Sequence, residues 1–275
     1  MKLLSVNDST SVTNRRRPTK EVFVKEYLQR INYSGELMVS HECLRNLQKA
    51  HLFSVPFENL DIHNKIPIKL DLDLLYEKII INHRGGFCYE LNGLFNELLR
   101  QIGFKSRMVS ARVLNSGTGQ FGEEFDHMAI IVDLDNKEYL VDVGFGEFAR
   151  YPLLIQLDVV QSDPRGQFLI KRWDEDSLVV LNMTDGKEVF EYLFTRKERR
   201  LSEFGKMCDY HQTNPDSHFT QNRLISRPTE KGRITISGNT IKISEEGKIV
   251  EEITFEEEEF GRYFEKWFNN KEVIK

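Results

Sequence analysis

The sequence predicts an α+β protein in three successive stretches: helices, then antiparallel strands, then a mixed C-terminal part. Three observations predict it. Apolar residues recur at helical spacing as far as Gly103. Beyond Gly103 the chain turns to alternating, Val- and Ile-rich runs. The pairs Asp135-Asn136 and Gly238-Asn239 fall between such runs, where a hairpin turn belongs.

The helices come first. Val22, Phe23, Tyr27, Leu28 and Ile31 lie on one face of a helix starting near Thr19. Ser40 caps a second helix, which carries Cys43, Leu44, Leu47 and Leu52 and is closed by Pro56. Asp71 or Asp73 caps a third through Leu74, Leu75, Ile79 and Ile80. It is expected to run until Arg84-Gly85-Gly86, where the glycines break helical geometry. A fourth starts at about Cys88 and carries Leu91, Leu94, Phe95, Leu98 and Leu99.

The strands follow. Residues 105–114 alternate, and 128–134 and 138–143 are apolar β runs flanking Asp135-Asn136. Further strands are expected at 167–172, 177–182 and 187–194, giving an antiparallel sheet or barrel. The charged segment 196–200 is expected as a solvated turn. From Pro215 onward, residues 234–237 and 240–244 flank Gly238-Asn239, and 249–254 follow Gly247. Thr254 and Glu257 have capping-box spacing ahead of a last helix whose apolar face holds Phe260, Tyr263, Phe264, Trp267 and Phe268. The acidic run 256–259 suits the positive end of that helix's dipole.

Composition narrows the function classes. The 275 residues suffice for one large domain or a few small ones, and 40% hydrophobic content supports a sizeable core. A net charge of -5 argues against a general nucleic-acid surface. No stretch approaches the roughly 20 apolar residues of a membrane helix. The first 20 residues lack the apolar centre of a secretory signal, so a cytoplasmic location is expected. Cys43, Cys88 and Cys208 are then expected to remain thiols. Residues 1–17, with Arg15, Arg16 and Arg17 before Pro18, have the composition of a flexible tail.

Chemistry centres on Cys88. It follows two glycines and opens a helix, where unpaired backbone N–H groups favour a thiolate and offer a cradle for an oxyanion. A thiolate nucleophile wants a histidine, and that histidine wants an orienting carboxylate. His127 opens one strand of the hairpin and Asp142 ends the other. With Asp135-Asn136 as the turn, Ala129 pairs with Asp142, and His127 lies two residues away on the same face. Cys208, His211 and His218 match no closed four-ligand metal pattern. Gly144-Phe145-Gly146 lacks the longer glycine pattern of a phosphate loop.

These motifs together resemble the arylamine N-acetyltransferases. The resemblance is carried by Val55-Pro56-Phe57-Glu58-Asn59-Leu60-Asp61, Arg84-Gly85-Gly86-Phe87-Cys88 and Glu90-Leu91-Asn92-Gly93-Leu94-Phe95. It continues through His127-Met128, Val141-Asp142-Val143-Gly144-Phe145-Gly146 and Asp216-Ser217-His218-Phe219-Thr220, covering roughly residues 20–270. It implies a helical bundle at 19–104 holding the cysteine, a β-barrel at 105–206 holding His and Asp, and an α/β lid at 207–275. The Cys-His-Asp core would be cysteine-protease-like, and residues 1–18 would be an extension without a family role.

The same resemblance implies a reaction. Acetyl-coenzyme A donates its acetyl group to Cys88, and an arylamine, arylhydrazine or N-hydroxyarylamine removes it, with no metal required. Glu58 and Arg84 correspond to a buried ion pair bracing the cysteine loop, and Phe57 and Phe145 to acceptor-pocket walls. Ser217, His218, Phe219 and Thr220 correspond to the border of the coenzyme A cleft. Neither nucleic acid nor membrane is expected as a partner. The triad order also fits a transglutaminase-like or papain-like enzyme, or a silent binding module that keeps the three residues.

Overall fold

The computed structural model describes residues 18–115, 117–184 and 186–269. The arginine-containing tail at 1–17 lies outside the described residues. Helix α1 (Lys20–Arg30) starts where the Thr19 hydroxyl accepts from Val22 N. It buries Phe23, Tyr27 and the following Ile31, a four-residue repeat that leaves Val22 43% exposed. Helix α2 (His41–Ser54) is capped by Ser40. After strand β1 (Phe57–Glu58) and the short α3 (Leu60–His63), α4 (Leu72–Tyr76) is capped by Asp71, whose carboxylate accepts from Asp73 N and Leu74 N.

The third helix ends earlier than expected. A π-helical turn, Glu77–Ile81, follows α4, and the chain leaves it at Asn82, with His83 at φ 54°. The glycines therefore do not break a helix. A Cβ on Gly85 would meet Pro56 O at 2.3 Å and Glu58 Cγ at 2.6 Å, so Gly85 is demanded by close passage over β1. Helix α5 (Cys88–Ile102) begins where the sequence places it and ends at Gly103 in the left-handed region, φ 118°. Leu91, Leu94, Phe95, Leu98 and Leu99 join α1 and α2 in one buried core.

Nine strands follow: β2 (Lys105–Asn115), β3 (Gln120–Phe121), β4 (His127–Leu134), β5 (Lys137–Val141), β6 (Leu153–Leu154), β7 (Gln161–Asp163), β8 (Gly166–Arg172), β9 (Ser177–Thr184) and β10 (Lys187–Arg199). Their order is β6-β5-β4-β2-β10-β9-β8-β7, with β3 on β2. All pairs are antiparallel. The two edges meet through a side chain. Gln161 of β7 accepts from Leu154 N at 2.7 Å and donates to Leu154 O at 2.9 Å. This closes the sheet into a barrel around Ala129, Ile131, Phe148, Phe168, Ile170, Tyr192 and Phe194.

Two details differ from the sequence expectation. Residues 196–199 are strand rather than turn. After an irregularity between Phe194 and Glu198, Glu198 and Arg199 pair with Val109 and Met108. Arg107 and Arg196 both reach Glu138, so charge is paired along the sheet rather than solvated at a turn. Strand β5 stops at Val141, because the Asp142 side chain accepts from Gly144 N and Phe145 N and bends the backbone away. The Asp135-Asn136 turn has φ 51° and 58°, the pattern of a type I′ hairpin, and Leu134 pairs with Lys137.

The C-terminal part holds α6 (Gly205–Thr213), α7 (His218–Gln221), β11 (Leu224–Pro228), β12 (Gly232–Ser237), β13 (Thr240–Glu245), β14 (Lys248–Thr254) and α8 (Phe260–Phe264). Its sheet order is β1-β11-β12-β13-β14. Strand β1, from between α2 and α3, is thus an edge of the C-terminal sheet. Phe260, Tyr263, Phe264, Trp267 and Phe268 pack over Ile225, Ile234, Ile236 and Ile241. The expected Thr254–Glu257 capping box is replaced. Thr254 ends β14, and Glu259 instead accepts from Glu256 N at 3.3 Å, after which the 3-10 turn Glu257–Glu259 leads into α8. Among the described residues no helix is long and apolar enough to cross a membrane.

Candidate active site

The site grows from the loop between the π-helical turn and α5. Arg84 donates to Glu58 Oε1 from both Nε (2.9 Å) and Nη2 (2.7 Å), and Nη2 also reaches Asp61 at 2.9 Å. Glu58 is 1% exposed, whereas the Arg84 side chain is 30% exposed. Lys78 completes the group, 2.7 Å from Asp61 and 2.8 Å from Glu90. Glu90 in turn accepts from Phe87 N at 2.8 Å, directly before the cysteine. Burial raises Asp61, but Lys78 and Arg84 outweigh it, so its carboxyl sits below the usual range. Burial lowers Lys78, but Glu90, Glu58 and Asp61 together raise it. Glu90 stays raised, because its burial exceeds what Lys78 returns.

Cys88, at the first position of α5, is 4% exposed. The two residues flanking His127 are held by two residues of α5 that follow Cys88. The Tyr89 hydroxyl donates to Phe125 O at 2.8 Å, with Asp126 O at 3.0 Å. Asn92, one turn along the helix, donates to Met128 O at 2.6 Å. The Asp142 end is clamped to the same helix. Asn92 Nδ2 also donates to Asp142 Oδ1 at 2.8 Å, and Asn92 Oδ1 accepts from Val143 N at 2.9 Å. A Cβ on Gly144 would lie 2.9 Å from Cys88 Cα and 2.8 Å from Cys88 O, so this loop needs glycine to rest on the cysteine backbone.

His127 Nε2 lies 2.7 Å from Asp142 Oδ2. Asp142 is fully buried, and its carboxylate also accepts from Gly144 N, Phe145 N and the Tyr192 hydroxyl. Five donors around one carboxylate explain how a charge is tolerated there. The His127 ring is flanked by Phe145 at 5.2 Å and Tyr192 at 5.4 Å between centroids.

The thiol's electrostatics depart from the sequence expectation. Burial pushes the Cys88 thiol well up, and Cys208, Asp126 and Asp142 push the same way. The Tyr89 N–H opposes them, as expected of a helix start, but it does not win. Desolvation exceeds the helix-start effect because the residue is buried, with only 4% of its surface exposed. A thiolate is therefore favourable here only with a proton held on a neighbour, so that the pair is neutral overall.

Phe57 packs against Phe87 at 5.7 Å and Phe219 at 6.2 Å, and Phe219 meets Phe87 edge-on at 4.6 Å. Ser217 caps α7, which holds residues 218–221. Ser217 is buried and bonded to His211 O and Phe219 N, and Thr220 donates to Asn214 O and Ser217 O. Of the four, His218 is the exposed one. Among the described residues no group of three or more His, Cys, Asp or Glu is placed to hold a metal ion.

Sequence reasoning gave no role to Asn92, Tyr192, Lys78 or Asp61. Asn92 carried a usable signal, a polar residue four positions after Cys88 within an apolar helix. Tyr192 carried none, since a tyrosine in a strand is ordinary.

Comparison with known proteins agrees with this architecture. The family described as N-acetyltransferase matches residues 40–271, which makes the protein an acetyltransferase by class. The arylamine N-acetyltransferase of Escherichia coli K12 is 31% identical over 233 residues, covering 83% of this chain and 82% of that protein. The arylamine N-acetyltransferase structure from Salmonella typhimurium superposes with a TM-score of 0.85 at 28% identity, covering 90% of each chain. That of Mycobacterium marinum in complex with CoA gives 0.82 at 27% identity, covering 90% of this chain and 92% of the other. The chain belongs to the arylamine N-acetyltransferase family.

Proposed function

We propose that the protein moves an acetyl group from acetyl-coenzyme A to an aromatic amine through a thioester on Cys88. One observation carries this reading: Tyr89 and Asn92, one and four residues after Cys88 on the same helix, hold the backbone on either side of His127, and Asn92 also holds Asp142. Family membership supplies the donor and acceptor classes.

Because Asp142 occupies His127 Nε2, the other ring nitrogen, Nδ1, is left to take the Cys88 proton. The sulfur then attacks the acetyl carbonyl, with N–H groups at the start of α5 as oxyanion donors; Phe87 N is not among them, since Glu90 holds it. Coenzyme A leaves with the proton from Nδ1. In the second half an arylamine, arylhydrazine or N-hydroxyarylamine attacks the thioester, gives its proton to Nδ1, and frees the thiol. Asp142 fixes the ring and stabilises its charged form. Phe57 and Phe145 wall the acceptor site, matching a flat aromatic ring. The turn bearing Ser217, His218, Phe219 and Thr220 borders the coenzyme A cleft, and Glu58 with Arg84 braces the cysteine loop.

The protein is proposed to act in the cytoplasm on small molecules, with neither nucleic acid nor membrane as partner. Steady-state kinetics test the two-step scheme. Double-reciprocal lines against acetyl-coenzyme A at several arylamine concentrations should run parallel; intersecting lines would require a ternary complex and overturn it.

A further inference from the structure

We propose that Arg233 is a positioning residue for the acceptor half of the reaction, tying the Phe57 wall to the Phe145 wall. The proposal rests on the functional reading above. Arg233 lies on β12, remote in sequence from every residue of the triad. Its side chain is an almost buried fork, with the residue 7% exposed. Nη1 donates to Ser226 Oγ at 2.6 Å, and Nη2 donates to Gly146 O. Ser226 is the strand partner of Phe57 in the β1–β11 pair, and Gly146 follows Phe145 directly. One planar group thus joins the side chain of Phe57's strand partner to the backbone carbonyl next to Phe145.

The loop bearing Phe145 is held on both sides of that residue. Asp142 holds its start through Gly144 N and Phe145 N, and Arg233 holds its far side at Gly146 O. Gly146 has open space where a Cβ would be, so no packing at that position fixes the loop by itself. Arg150 adds a seam just downstream, donating to Thr229 O at 2.8 Å and Glu230 O at 3.0 Å in the β11–β12 turn. The C-terminal sheet therefore sets how far Phe145 stands from Phe57. Burial lowers Arg233 to about 10, with Glu147 opposing and Arg165 and Arg150 adding, so it stays charged at neutral pH. Glu147 Oε1 is 3.9 Å from Arg233 Nε and its side chain is 63% exposed, so that carboxylate does not replace the two oxygen contacts.

Arg233 touches none of the three proposed reacting side chains, so its loss should separate the half-reactions. In Arg233→Met both prongs are gone. In Arg233→Lys the charge remains, but one ammonium cannot span both oxygens. Ser226→Ala removes one prong without stranding a charge, and it serves if Arg233→Met does not fold. Rapid-quench mass spectrometry should find Cys88 acetylation by acetyl-coenzyme A within about twofold of wild type in all three. Discharge of the acetyl-enzyme by an arylamine should slow about tenfold to a hundredfold in the Arg233 variants, as expected when a positioning wall shifts. The preference between a one-ring and a fused-ring amine should narrow. Unchanged discharge and preference would overturn the proposal. So would equal losses in both half-reactions alongside a lower melting temperature, which would leave Arg233 a packing role only. A wild-type protein that takes no acetyl group would overturn this inference and the functional reading together, whereas failure of the variants alone would leave that reading standing.

Discussion

Asn92 donates to Asp142 Oδ1 at 2.8 Å and, from the same nitrogen, to Met128 O at 2.6 Å, joining the helix of Cys88 to both sides of the hairpin that carries His127. Removing it in Asn92→Ala leaves Met128 O and Val143 N without these partners in a dry interior. Each stranded backbone group costs about 1–3 kcal/mol. The variant should melt several degrees lower and transfer acetyl about tenfold to a hundredfold more slowly. Wild-type turnover in Asn92→Ala would show that the clamp does not align the site.

Asp142→Asn keeps the shape of the side chain but changes what it offers. An amide group can face Tyr192 or the loop N–H groups, but it cannot stabilise a charged His127 or accept from all five donors. Turnover should fall on the order of 10³-fold or more. Near-normal acetyl transfer by a folded Asp142→Asn protein would remove Asp142 from the mechanism.

The charged group behind the cysteine loop predicts an order of stabilities. Lys78 faces both Asp61 and Glu90 and is 14% exposed, while Arg84 faces Glu58 and Asp61 and is 30% exposed. Breaking a buried pair costs about 3–5 kcal/mol, less where water can reach. Lys78→Met should therefore lower the denaturation midpoint more than Arg84→Met, and Glu58→Gln should also destabilise. Equal, negligible shifts for all three would mean that the group does not brace the loop.

Glu191 sits at the irregularity of β10 between Phe190 and Tyr192, and burial raises it from 4.5 to about 7, with Asn182 and Arg165 opposing and Glu147 adding. A raised carboxyl binds its proton more tightly when folded. Its contribution to stability is full below about 4.5 and is lost as pH rises through about 7. Glu191→Gln removes that loss. The variant should melt about as wild type at pH 4 and a few degrees higher at pH 8. A variant no more stable than wild type at pH 8 would contradict the assignment.

Much of this was legible in the sequence because it is local. Ser40 and Asp71 cap helices for reasons within three residues of each, and Asp135-Asn136 sets the hairpin register that faces His127 toward Asp142. What was not legible depends on residues distant in the chain. Nothing near Arg196 says that it pairs with Glu138 on a neighbouring strand, so the segment looked solvated. Nothing near Cys88 says that the folded chain buries it and adds the influence of Cys208, Asp126 and Asp142, so the helix start alone argued for a low pKa. The Gly85-Gly86 pair marked a special backbone correctly, but for close approach to Pro56 and Glu58 rather than for ending a helix.

The central claim is that Cys88 becomes an acetyl carrier by giving its proton to His127, and intact-protein mass spectrometry with peptide mapping tests it most directly. Acetyl-coenzyme A alone should add one acetyl group, on Cys88, and an arylamine should then remove it. In His127→Ala the proton has no acceptor, and burial holds the Cys88 thiol protonated at neutral pH, so neither acetylation nor iodoacetamide labelling of Cys88 should proceed at an appreciable rate. Cys208, raised by burial to about 12, should stay unlabelled in both proteins. An acetyl group on Cys43 or Cys208, no adduct at all, or Cys88 acetylated equally well without His127 would contradict the account.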